Sequence, residues 1–319
     1  MTAEPLFIEY TPKSFSAERE AIIEQVNEIL EQYAEAGYDL TLRQVYYQFV
    51  ARGLIPNQAA EYKRLGAIIN DARLAGRVPW NRIVDRTRNL QGVYHVADAQ
   101  QAITEAARDF HTDLWATQKK RVEVWVEKDA LIGVVGQACQ PWDVNYFSCR
   151  GYCSQSELWA AAMRLLKYVG ARQEVIILHL GDHDPSGIDM TRDISDRLSL
   201  FASEHLKPLT KLMGFHQTHR LITVKRIALN ADQIERYDPP PNPTKLTDSR
   251  AKGYISEYGR ESWELDALEP TVLNDLIQTH IKRELDGHAF AEAYRAMEKE
   301  RKRLTETAEH WHETASGGA

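Results

Sequence analysis

Three acidic residues stand at the ends of two apolar runs. "EVIILHLGDHDPSG" carries Asp182 and Asp184 just past its hydrophobic stretch, and "RVEVWVEKD" carries Glu127 in the same place. In an extended strand, side chains two apart share a face, so Asp182 and Asp184 are expected to point the same way. In open α/β sheets the carboxyl ends of strands are where ligands bind. If the two strands are neighbours, three carboxylates converge, and such a cluster repels itself unless a cation neutralises it. All-oxygen donors favour Mg²⁺, which binds a few carboxylates and keeps waters for phosphate oxygens. The competing reading of Asp182 and Asp184 is local: aspartates at a strand end also form turns and cap helices.

The elements that would carry these residues follow from periodicity. Residues 16–37 read as an amphipathic helix with Ser16 as N-cap, but Arg19 stands where a capping box needs Glu or Gln. A second helix starts near Thr41 and a third covers Ala59 to Ala75. With the extended "GRVPWNRIVDRTRN" that follows, they suggest a helix-turn-helix or winged-helix module. Residues 97–118 read as helix. From Arg121 onward strands and helices alternate: "RVEVWVEKDAL", "LIGVVGQAC", "WDVNYFSC", "SQSELWAAAMRLLKYVG", "EVIILHLGD", "SGIDMTRDISDRLSLF", "LITVKRIAL". That alternation predicts a mostly parallel α/β sheet. "DPPPNPT" is a stiff connector, His280 to about Thr314 is one charged helical stretch, and "ASGGA" should fray.

Composition bounds the function. The 319 residues are 43% hydrophobic and 27% charged, with a net charge of −7 that does not advertise nucleic-acid binding. The charge is unevenly spread. Between Glu61 and Arg88 seven Lys/Arg face three Asp/Glu. Lys63, Arg64, Arg73 and Arg77 are therefore candidates for phosphate contact, the alternative being a solvated basic face. No apolar stretch approaches the roughly 18 residues of a membrane span. The N-terminus lacks a secretory pattern, and three cysteines suit a reducing compartment, so a cytoplasmic protein is expected. Cys149, Cys153, His179 and His183 are spaced too loosely to suggest zinc.

"VEKDAL", followed 55 residues on by "GDHDPSG" in a βαβ setting, resembles a Toprim domain. The D-x-D-P-x-G form is most similar to the topoisomerase VI A subunit and its relative, the meiotic double-strand-break transesterase. "SCRGYCSQSEL" resembles that family's glycine-containing turn, with Cys153 where the family usually has proline. The resemblance implies that Glu127, Asp182 and Asp184 are Mg²⁺ carboxylates. It also implies a winged-helix domain before Toprim with a catalytic tyrosine in a pattern like R-x-x-[FY]-Y. "TLRQVYYQF" supplies Arg43, Tyr46 and Tyr47, with Gln44 where the family often has an acid. Helical phasing separates the tyrosines independently. Leu42, Val45, Tyr46 and Phe49 form one apolar stripe, whereas Tyr47 lies off it, four residues from Arg43. Tyr47 is the expected nucleophile and Tyr46 the fallback, with Arg43 stabilising the phenolate or the transition state.

The resemblance runs from about Leu40 to about Ile281. It predicts an N-terminal winged-helix domain (1–115), then a Toprim domain with a C-terminal helical extension (116–319). "ALNADQIERYDPPPNPTKLTDSRAKGY" and "ELDAL" are similar to the family's C-terminal portion, where Lys245 and Arg250 contact DNA or are merely solvated. The sequence has no Gly-rich phosphate loop and no ATPase domain, which leaves an ATPase partner open. The N-terminal extension is only about 40 residues, as in the compact stand-alone Mini-A homologues of mobile genetic elements. The implied activity is Mg²⁺-dependent cleavage of double-stranded DNA through a 5′-phosphotyrosyl link, by a nucleoid-associated homodimer whose active sites are shared between protomers. Two alternatives stay open. One is a Toprim nuclease using metal-activated water, with Tyr47 structural. The other is a non-catalytic DNA-binding subunit, which would have no need of self-repelling carboxylates.

Overall fold

The computed structural model describes residues 5–84, 93–213 and 221–311. Part of the basic stretch read from the sequence, from Asp85 on, and the terminal "ASGGA" lie outside these residues. Among the described residues no helix is long and apolar enough to cross a membrane.

Three helices open the chain: α1 (Ala17–Glu35), α2 (Leu42–Ala51) and α3 (Ala59–Leu74). Ser16 caps α1 by accepting from the Arg19 N–H. Thr41 caps α2 more completely: its hydroxyl accepts from the Gln44 N–H, and the Gln44 side chain accepts from the Thr41 N–H at 2.8 Å. Gln44 thus completes a capping box, which satisfies two of the helix's orphan donors. Bridges Glu9–Ala75 and Leu40–Ile83 tie extended segments to these helices.

The fourth helix, α4 (Ala99–Asp109), is shorter than its sequence suggests. The chain turns because Asp113 is drawn away from helical partners. Its carboxylate binds Arg121 and caps the Trp115 N–H, while the buried Trp115 indole donates to the Trp142 carbonyl at 2.7 Å.

The second half is α/β. Strands β1 (Lys120–Val126), β2 (Asn145–Ser148), β3 (Glu174–Leu180) and β4 (Ile222–Ala228) form one sheet in the order β2-β1-β3-β4. All three pairings are parallel. Helices α5 (Ile132–Cys139), α6 (Gln155–Gly170) and α7 (Pro185–Met213) make the crossovers. Alternation along the strands splits the apolar residues between two faces. Val122, Val124, Ile176 and Leu178 face α5, while Trp125, Val175 and Ile177 face α6 and α7.

Beyond β4 come α8 (Ala231–Tyr237), α9 (Ala251–Tyr258) and a two-stranded antiparallel pair, β5 (Asn242–Pro243) with β6 (Glu261–Ser262). The "stiff connector" therefore includes a short strand. The charged C-terminal stretch is two helices rather than one, α10 (Pro270–Glu284) and α11 (Gly287–Glu309). They part at Asp286, whose carboxylate caps α11 and whose N–H donates to Gln118. The larger hydrophobic core is continuous from Val26, Val45 and Phe49 of the first helices through Val124 of β1 to Ile277 of α10.

Candidate active site

The carboxyl ends of β1 and β3 meet because the strands are direct neighbours. The Glu127 N–H donates to the Leu180 carbonyl at 2.8 Å, extending the ladder one step. One Glu127 oxygen then accepts from the Asp182 N–H at 2.9 Å. Burial, opposed by the Asp182 N–H and by Lys128 and reinforced by the Asp184 charge, pushes the Glu127 carboxyl above its ordinary range. Asp182 is pushed further, to about 7, first by burial and then by the charges of Glu127 and Asp266, with Lys128 pulling against them.

Two glycines make this packing possible. A Cβ on Gly181 would lie 3.0 Å from the Glu127 carboxylate, 3.1 Å from the Arg226 guanidinium and 3.2 Å from the His179 ring, so glycine lets these three close in. A Cβ on Gly187 would lie 2.2 Å from the Asp182 carbonyl oxygen, closer than any side chain permits. Arg226 locks the same turn, donating to the carbonyls of Gly181, Asp182 and Gly187.

Asp184 takes the local role. It accepts from the Ser186 hydroxyl at 2.9 Å and the Gly187 N–H at 2.6 Å, capping α7. Asp182 turns to other partners, accepting from Lys128 at 2.9 Å and from the Leu265 N–H at 2.7 Å. Among the described residues, no group of three or more His, Cys, Asp or Glu side chains is gathered as a metal cage. The donor set nevertheless fits a hard divalent cation. The acids at this strand end are hard oxygen donors of the kind Mg²⁺ takes: the Glu127 carboxylate reaches the Asp182 backbone, and the Asp184 charge acts on Glu127. Glu127, Asp182 and Asp184 would hold it.

Lys128 supplies positive charge to Asp182 here, and it links this end of the sheet to the tyrosines. Its ammonium also contacts Glu264 at 2.7 Å and Asp266 at 2.6 Å. Both acids sit on the segment that follows β6, and both also bind Arg43. Arg43 pairs with Glu264, and its Nε lies 2.9 Å from Asp266. The Asp266 side chain is 0% exposed and lies against both cations. Burial works against both cations, but the carboxylates outweigh it and hold Lys128 and Arg43 firmly charged. Glu264 is driven down to about 2: burial opposes ionisation, and Lys128 and Arg43 overcome it.

Arg43 reaches Tyr47 on the next turn of α2. Its Nη2 donates to the Tyr47 oxygen at 3.4 Å, and the guanidinium lies 5.7 Å from the ring centre. Helical phasing puts Tyr47 off the apolar stripe, but Tyr47 is only 3% exposed. The cause is the distant segment carrying Glu264 and Asp266, which covers that flank of α2. Burial, then those two charges, raise the phenol above its ordinary value. Tyr46, 4% exposed, is the more committed ring. Its hydroxyl donates to Asn57 at 3.0 Å and the Gln58 carbonyl at 3.2 Å, anchoring the start of α3.

The candidate DNA-contacting residues divide. Lys63 and Lys245 are exposed. Arg64 pairs with Glu61 and Glu18, and Arg77 makes a two-pronged pair with Glu20. Arg73 donates to the Trp80 carbonyl and lies over the Trp80 ring, a folding role. Arg250 is held by Asp248 and Asp189. Two of these bases, Arg64 of α3 and Arg77 beyond it, thus pair with acids of α1.

Sequence reading did not single out Lys128, Glu264, Asp266 or Arg226. Glu264 and Asp266 carried a usable signal: an acid-x-acid spacing in "WELDAL", like that of Asp182 and Asp184. The sequence matches no known protein-family model and no curated protein.

Proposed function

We propose that this chain is a Mg²⁺-dependent DNA-cleaving transesterase of the topoisomerase VI A subunit type, with a winged-helix domain bearing Tyr47 and a Toprim domain bearing Glu127, Asp182 and Asp184. The observation that carries this reading is the ion-pair ladder within one chain. Tyr47 touches Arg43, Arg43 pairs with Glu264 and Asp266, and both acids pair with Lys128, which pairs with Asp182. A purely structural tyrosine and a purely structural strand end have no reason to be wired together through a fully buried aspartate.

In this reading Mg²⁺, when bound at the three carboxylates, supplies Lewis-acid polarisation of the scissile phosphate. Tyr47 attacks phosphorus and loses its proton. The bond from phosphorus to the 3′ oxygen breaks, that oxygen takes up a proton, and a 5′-phosphotyrosyl link forms. One phosphodiester replaces another, so resealing needs no external energy. Arg43 stabilises the charge developing on the phosphoryl oxygens. Here Arg43 is committed to Glu264, so a phosphate must displace that carboxylate to reach it. We read the arrangement as a resting state of a homodimer acting on double-stranded DNA in the cytoplasm, associated with the nucleoid. The deciding experiment is incubation with supercoiled plasmid and Mg²⁺, denaturation, and assay for protein attached to 5′ ends.

One observation favours a second reading. Tyr47 is buried and its phenol is pushed above its ordinary range. That suits a Toprim nuclease that hydrolyses DNA with water while Tyr47 only packs. Cleavage without covalent adducts in the same assay would establish it.

A further inference from the structure

Tyr47 and Arg43 line one side of a cavity of about 250 Å³ whose remaining walls carry groups with no part in the cleavage chemistry. Its walls combine three tyrosine rings with amides. Tyr46 stands edge-on to both neighbours, with ring centres 5.3 Å from Tyr47 and 5.3 Å from Tyr62. Tyr62, on the first turn of α3, keeps 37% of its surface exposed. Across from the rings, Asn57 accepts from the Tyr46 hydroxyl and donates to the Asn242 side chain at 2.7 Å. Arg43 and Glu264 close the side toward the carboxylates.

We propose that this cavity receives one nucleobase of the bound DNA, its face on Tyr62 and its edge read by the Asn242 amide, which Asn57 holds in place. The inference rests on the DNA-cleaving reading and adds a base subsite to it. The size suits a small flat ligand, falling below the ~300 Å³ at which drug-sized pockets begin. The lining suits a heterocycle: every base offers a π-face to an aromatic ring, and primary amides pair with base edges. Apart from Arg43, whose charge Glu264 and Asp266 balance in the resting state, the lining residues carry no positive charge to hold an anion. A base in a duplex must leave the stack to enter, which is easiest at a flexible or mispaired step. The subsite therefore confers a sequence preference next to the cleaved bond.

The test uses the full chain. 2-Aminopurine is walked through a duplex, and fluorescence is read alongside anisotropy, which reports binding. One position should brighten several-fold on binding. Tyr62→Ala should abolish that signal, Tyr62→Phe should keep it, and Tyr62→Leu, which fills the same space without a ring, should lose it. A second arm titrates deoxyadenosine 5′-monophosphate against deoxyribose 5-phosphate. The base-bearing ligand should bind about tenfold more tightly, and Tyr62→Ala should erase the difference. A bound duplex in which no position brightens, or a Tyr62→Ala variant that behaves as wild type, overturns the proposal. Tyr62-dependent binding of the mononucleotide with a silent duplex reassigns the cavity to free nucleotides and equally overturns it. Absence of duplex binding together with absence of adducts means instead that the DNA-cleaving reading has failed.

Discussion

The Glu127 carboxylate accepts the backbone N–H of Asp182 at 2.9 Å, joining the ends of two parallel strands that are 55 residues apart in the chain. The contact sets the Glu127 carboxylate against the backbone of a second acid, Asp182, and both are buried. Lys128 balances them from one side, and through Glu264 and Asp266 it ties them to Arg43.

Asp182→Asn should leave the metal-free chain as stable as wild type within about 1 kcal/mol at pH 7, or more stable, while abolishing Mg²⁺-dependent cleavage. The folded pKa of about 7 lies above the ordinary value of 3.8. A raised carboxyl contributes stability at pH values below the unfolded pKa, and that contribution is lost as pH rises toward the folded pKa. The stability of wild type relative to Asp182→Asn should therefore fall between about pH 4 and pH 7. Urea unfolding across that range checks the sign; a rise would mean that Asp182 is held ionised by Lys128.

Lys128→Met removes the shared partner of three acids, two of them buried. Truncating one member of a buried ion pair costs about 3–5 kcal/mol. The expected loss in urea unfolding is of that order. Adding Asp266→Asn should recover part of it, because one stranded charge is then gone. A loss under about 1 kcal/mol would show that water already screens the cluster.

The two glycines should separate folding from chemistry. Gly187→Ala drives a Cβ into the Asp182 carbonyl and should prevent stable folding. Gly181→Ala meets only the far end of Glu127 and two other side chains, so it should fold. It should lose Mg²⁺ affinity, measured by calorimetry, because the methyl group pushes against the Glu127 carboxylate and shifts it. Equal stability of the two variants would contradict the packing described.

Tyr47→Phe removes only the nucleophilic oxygen. Its bond to Arg43 is long at 3.4 Å, so stability should change by less than about 1 kcal/mol. Covalent protein–DNA complexes should vanish while duplex affinity is nearly unchanged. Cleavage at the wild-type rate without adducts would move the assignment to the hydrolytic reading.

A mixture of Tyr47→Phe and Glu127→Ala examines whether the resting ladder opens to serve a partner. If Tyr47 works against the carboxylates of the other protomer, one half-site of the mixed dimer is intact and the other doubly defective. Single-strand nicking should then return without double-strand cleavage. A mixture proven heterodimeric that stays inert on supercoiled plasmid would place the tyrosine and its carboxylates in the same chain.

Much of the framework can be read locally. The apolar spacing of α1, α2 and α3, the caps at Ser16 and Thr41, and the alternation along β1 and β3 all report backbone hydrogen bonds made within a few residues or between neighbouring strands. So Glu127 and Asp182 are legible as strand-end acids, whereas the adjacency of their strands is decided by the sheet order β2-β1-β3-β4. Where a local pattern was interrupted by a long-range partner, the reading slipped. The helix expected through residue 118 stops at Asp109 because Asp113 goes to Arg121. The C-terminal helix divides at Asp286 because its N–H goes to Gln118, 168 residues earlier.

The environment of Tyr47 belongs to the second kind. Its phase on α2 puts it off the apolar stripe, and its near neighbours Arg43 and Tyr46 cover it only in part. It is buried because a segment more than 200 residues away folds back and sets Glu264 and Asp266 against Arg43, a separation of 221 residues for the Arg43–Glu264 pair. Periodicity carries information about which face of a helix is covered, since that is a property of one turn. Which distant charges cover it depends on how the sheet, α10 and the first three helices share one core, and that is settled only when the whole chain has closed upon itself.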